Sequence, residues 1–92
     1  QKMNLRDSVR RGIRILNTVY GNRSWRKKID LNTLNLESVS FCVLGQLEGN
    51  YDKGLDKVKV AWDTSQYGFS LYDPKPGKWE QLTQTWRREL TR

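Results

Sequence analysis

The chain is 92 residues long, carries a net charge of +7, and contains one cysteine and no histidine. That length closes one small domain. It excludes an internal disulfide, histidine-based catalysis and Cys/His metal clusters, and no apolar run approaches the roughly 18–20 residues of a membrane span.

The charge is unevenly spread. Residues 1–28 hold nine Lys/Arg and one acid, Asp7, whereas residues 29–63 hold three lysines and six acids. A basic first third followed by an acidic middle attracts phosphate-bearing partners, or docks one subunit's basic face on another's acidic one. Gln1 and Lys2 precede Met3, which reads as the natural start, and no secretory segment is expected. A cytoplasmic setting follows from the lone cysteine. A modest apolar fraction, 36%, with four tryptophans points to a core completed by a second subunit, hence a homo-oligomer.

Asn4 to Tyr20, "NLRDSVRRGIRILNTVY", predicts a helix. Leu5, Val9, Ile13, Leu16 and Tyr20 fall within an arc of about 90° at roughly 100° per residue. Asn4 is suited to the N-cap, Asp7 to the first turn, and Gly21 to the stop. Gly12 lies on the apolar face, where a backbone can approach closely. On the other side stand Arg6, Arg10 and Arg14, spaced four apart, with Arg11 beside them. Like charges at that spacing do not support a helix. They form either a solvated face or an anion-binding stripe, and the cations continue at Arg23, Arg26, Lys27 and Lys28. Trp25 sits among these bases. Its first reading is a core anchor, and its second is a surface on which a base stacks while the cations hold phosphate.

"DLNTLNLES", Asp30 to Ser38, predicts a loop or single turn with Leu31, Leu34 and Leu36 turned inward. "FCVLGQLEGNY", Phe41 to Tyr51, is apolar nearly all round and predicts a short central helix, capped by Ser38 or Ser40. Gly45 and Gly49 either leave a groove for close packing, or Gly49 ends the helix and Asn50 turns the chain. The residues argue against a phosphate loop, because the Lys-Ser/Thr partner is missing. Cys42 lies between Phe41 and Val43 and reads as a small core residue, while Gln46 must hydrogen-bond either backbone or ligand. "YDKGLDKV", Tyr51 to Val58, predicts one or two helical turns. Asp52 and Asp56, interleaved with Lys53 and Lys57, read as a salt-bridged surface there rather than a catalytic pair.

The period then changes to two in "VKVAW" and "YGFSLY", which predicts a β-hairpin near residues 58–72; a short helix through Asp63–Tyr67 is the competing assignment. "DPKPG" is a rigid turn. "KWEQLTQTWRREL" predicts the last helix, with Trp79, Leu82, Trp86 and Leu90 on the face that packs on the first. The expected fold is mostly α, a small α+β domain in which amphipathic terminal helices enclose a short apolar one.

The run "VRRGIRIL … WRKKIDLNTLNL … CVLGQLEGNYDKGL … YGF … LTQTWRREL" resembles a family of small proteins encoded by phages and prophages of Gram-positive and actinobacterial hosts. The most specific piece is "CVLGQLEGNYDKGL", Cys42 to Leu55. The resemblance implies a host and a setting rather than a mechanism, and it carries over no catalytic residues. By analogy, small phage proteins of this size commonly block a host enzyme, bind nucleic acid or sequester a nucleotide immune signal.

With no catalytic constellation, the expected function is non-enzymatic and needs no cofactor or metal. The expected ligand is an anionic small molecule, a nucleotide or nucleotide-derived immune signal. It is held by Arg6, Arg10, Arg11, Arg14, Arg23, Trp25, Arg26 and Lys27. The alternatives are a nucleic acid lying along the basic helix and an acidic host protein docked on the same face.

Overall fold

The structure, a computed structural model, describes residues 4–60 and 63–92. It is mostly helical. Helix α1 runs Leu5–Val19, α2 Val43–Glu48, α3 Tyr51–Val58 and α4 Lys78–Leu90, with 3-10 turns at Ser24–Lys28 and Thr64–Tyr67. None of these helices is long and apolar enough to cross a membrane.

Helix α1 begins as its sequence requires. The Asn4 side chain accepts from the Asp7 N–H at 2.8 Å, so one orphan donor of the first turn is satisfied. Val9, Ile13 and Leu16 are buried on one face. Helix α4 packs across that face with Leu82 and Trp86, both fully buried. The crossing is set by Gly12. A Cβ there would overlap the Tyr67 carbonyl oxygen and stand 3.2 Å from the Trp86 ring. Only a residue without a side chain admits both neighbours.

The central segment follows the second set of options read from its glycines and also the first. Gly49 (φ +99°) closes α2, and Asn50 caps α3 by accepting from the Lys53 N–H at 2.8 Å. Gly45 lies against the backbone of Val39 and Ser40. The cap of α2 differs from expectation. It is Cys42, whose buried sulfur accepts from the Gly45 N–H at 3.3 Å, while Ser38 caps the preceding turn through Phe41 N–H at 3.0 Å. Burial raises the Cys42 thiol above its ordinary range, against the opposing pull of the backbone N–H groups. Gln46 bonds backbone. Its oxygen accepts from Asp30 N–H at 2.6 Å, and its nitrogen donates to the Phe41 and Asp30 carbonyls at 3.0 and 3.2 Å.

The loop at 30–38 is held from α4. Arg87 donates to the Leu31 and Leu34 carbonyls, and the Thr83 hydroxyl accepts from Leu36 N–H at 2.9 Å. Leu34 and Leu36 are buried, as the sequence predicts.

The β-hairpin is replaced. Among the described residues of 58–72 there is no strand: Val58 ends α3 and Thr64–Tyr67 form a 3-10 turn, close to the competing helical assignment. Ala61 and Trp62 of "VKVAW" lie outside the described residues. The physical reason is local capping. The Asp63 carboxylate accepts from Ser65 N–H and from Gln66 Nε2, which favours a tight turn over an extended chain. An isolated two-stranded ribbon would also lack a third strand for support. The alternation in "YGF" serves packing instead. Tyr67 and Phe69 stack in series toward Trp86, whose indole N–H donates to the Gly68 carbonyl at 2.7 Å.

Candidate functional site

Three elements converge on one open groove of about 460 Å³. The middle of α1 contributes Arg10, Ile13 and Arg14, which share a flank because they stand at i, i+3 and i+4. The first 3-10 turn contributes Arg26, with Arg23 just before it. The end of α4 contributes Glu89, and Arg92 follows it. The turn is fixed by Trp25, which is 1% exposed and donates its indole N–H to Asn17 of α1 at 2.8 Å. Sequence placed a cationic run after α1. The buried indole is what folds that run back against the helix.

Electrostatics divide the groove in two. On one side Arg10 donates to Glu89 Oε1 at 2.8 Å, and Arg92 lies 3.3 Å from Glu89 Oε2. Glu89 is 5% exposed. Burial pushes its carboxyl up, but the Arg10 hydrogen bond and the charges of Arg10, Arg92 and Arg6 outweigh that and hold it below the ordinary 4.5. On the other side, among the described residues, Arg14, Arg23 and Arg26 make no ion pair. The Arg26 guanidinium packs over the Trp25 ring at 5.6 Å. Among the described residues its Nε is buried without a hydrogen-bond partner, and burial together with the Arg23 charge weakens its hold on its proton.

A pH dependence follows from Glu89. A carboxyl whose folded value is depressed stabilises the fold above the unfolded value and loses that contribution as pH falls through the folded one. Stability is therefore expected to hold above about pH 4.5 and decline below it. Thermal unfolding of the native chain and of Glu89→Gln, compared from pH 7 to pH 3, checks this: the gap between them narrows on acidification.

The expected site residues separate accordingly. Arg10, Arg14, Arg23 and Arg26 are brought together. Arg6 is exposed and lies 3.8 Å from Asp7, and Arg11 and Lys27 are exposed outside the groove. Trp25 takes its first reading, the core anchor, and presents no stacking surface. Sequence reasoning missed Glu89 and Arg92. A signal for Glu89 existed, since it stands seven residues after Leu82 and three after Trp86, on the apolar face of α4.

A second cavity, about 580 Å³, lies beside Leu31, Gln84 and Arg88. Its other cation, Arg87, is committed to loop carbonyls, so fewer donors remain there.

Three guanidinium groups without an ion pair among the described residues line one groove beside the Glu89-paired Arg10 and Arg92, and guanidinium groups suit oxyanions through paired, charge-assisted hydrogen bonds. The site thus defines a small, mostly helical protein with a cationic groove. No family model, curated protein or solved structure matches the chain.

Proposed function

We propose that this chain is a non-enzymatic, phage-type binding protein that captures a nucleotide or nucleotide-derived immune signal in the arginine groove and so withholds it from a host defence. One observation carries the reading. Arg14, Arg23 and Arg26, drawn from two elements, face one groove without carboxylate partners among the described residues. The volume of about 460 Å³ suits a nucleotide-sized ligand. With Trp25 buried, the phosphates are the part recognised, and arginine planes replace an aromatic platform. The phage setting rests on the resemblance of the "CVLGQLEGNYDKGL" region.

A second reading has its own support. Arg11, Lys27 and Lys28 are exposed beyond the groove and extend the basic surface, as a nucleic-acid backbone would require.

The test is Arg14→Glu combined with Arg23→Glu. Both residues are exposed, so the fold is retained. The native chain should gain several degrees of thermal stability with millimolar ribonucleotide, by mass action, and the double variant none. Undiminished stabilisation in the variant eliminates the groove as the site. A gel shift of random duplex that fades between low and moderate salt, with no nucleotide effect, favours the second reading.

A further inference from the structure

Two buried atoms of groove-lining residues lack, among the described residues, the partners their burial calls for. Among the described residues, Arg26 Nε is a buried donor without an acceptor, and Glu89 Oε2 is a buried acceptor without a donor in hydrogen-bonding geometry. Both residues line the same groove. Buried polar atoms are paired in the great majority of cases, so an orphan donor and an orphan acceptor at one site describe a ligand with both kinds of group.

Resting on the anion-binding reading above, we infer that Glu89 is the specificity determinant of the groove: its Oε2 accepts a hydrogen bond from a hydroxyl or N–H of the ligand, so that the site takes nucleotides and discriminates against bare polyphosphate.

The carboxylate does not defeat anion binding, because Arg10 at 2.8 Å and Arg92 at 3.3 Å compensate its charge. Its two oxygens have different surroundings. Oε1 takes the Arg10 N–H, which orients the carboxylate and leaves Oε2 for another donor. Arg92 covers Oε2 at present, but its side chain is 59% exposed and retains the freedom to swing onto an incoming phosphate. A purely anionic ligand offers acceptors to the arginines and nothing to Oε2. It would bring its own charge beside a carboxylate that remains unsatisfied. A nucleotide supplies phosphate oxygens to Arg14, Arg23 and Arg26 and a donor to Oε2. That donor is either a ribose hydroxyl or a base N–H.

The experiment is isothermal titration with three probes at equal ionic strength: tripolyphosphate, ATP and 2′,3′-dideoxy-ATP. The native chain is expected to bind ATP about tenfold or more tightly than tripolyphosphate, the worth of one charge-assisted hydrogen bond. Dideoxy-ATP assigns the donor: a loss of that advantage places it on the ribose, and its retention places it on the base. In Glu89→Gln the two ligands should converge, with tripolyphosphate binding more tightly than to the native chain because a negative charge has gone. A merely structural role for Glu89 would weaken both alike. Equal binding of ATP and tripolyphosphate by the native chain overturns the inference and leaves the arginine groove standing. A preference unchanged in Glu89→Gln does the same. Binding of none of the three overturns both readings.

Discussion

Gly12→Ala is expected to destabilise the protein by about 2 kcal/mol, although alanine is the better helix former by roughly 1 kcal/mol. The residue is buried in the middle of α1. The added methyl would meet the Tyr67 carbonyl oxygen, which belongs to the backbone of the second 3-10 turn and has no rotamer to change. Relief therefore requires α1 to withdraw from that turn. Withdrawal loosens the packing of Phe69 and Trp86, whose rings stack at 5.9 Å, and lengthens the Trp86 indole bond to Gly68. Trp86 is itself 3.2 Å from the new methyl, so a smaller ring at that position relieves only part of the overlap. Urea denaturation measures the effect as a lower midpoint with the slope retained. An unchanged or raised midpoint would mean that α1 does not cross the turn at Gly12.

Arg10→Glu should be comparably damaging, and in a pH-dependent way. It replaces the donor at 2.8 Å from Glu89 with a second carboxylate. Removing one partner of a buried pair costs about 3–5 kcal/mol, but Arg10 is 38% exposed, so solvent screening reduces the expected loss to about 2–3 kcal/mol at pH 7. Two adjacent carboxylates raise each other's proton affinity. A group whose folded value is raised contributes stability at low pH and loses it as pH rises through that value. The deficit of the variant is thus largest near neutrality and shrinks below about pH 5, whereas the native chain loses its Glu89 contribution over the acid range. Arg14→Glu is the control. Arg14 is exposed and makes no ion pair among the described residues, so its reversal changes stability by no more than about 0.5 kcal/mol. Equal effects of the two reversals would show that the Arg10–Glu89 contact contributes nothing to the fold. The contrast also explains why Arg10, though first among the groove arginines in chain order, is unsuitable for testing binding.

The two sets of variants separate folding from recognition. Gly12 and Arg10 act through the joint between α1 and α4. Arg14, Arg23 and Arg26 line the groove that this joint creates. The same helix crossing that buries Trp86 brings the end of α4, with Glu89 and Arg92, beside the cationic flank of α1.

Much of this was legible in residue order because the signals are local. Periodic apolar residues define α1 and α4, the Asn4 cap starts α1, and the Gly49–Asn50 pair divides α2 from α3, since each depends on dihedral preference and spacing along one segment. The arginine flank of α1 was equally plain. The "YGF" alternation misled because period two records only that Tyr67 and Phe69 point the same way, and a 3-10 turn followed by Gly68 at φ +73° achieves that without a strand. Whether Trp25 is anchor or platform, which arginines keep their charge free, and that a carboxylate lies buried among them depend on contacts between residues as far apart as Arg10 and Glu89. The sequence by itself therefore determined the helices and the sign of the surface, whose energies are short-ranged. Only the tertiary structure decided which charges meet, because burial and ion pairing arise where α1 and α4 cross, and no single segment carries that information.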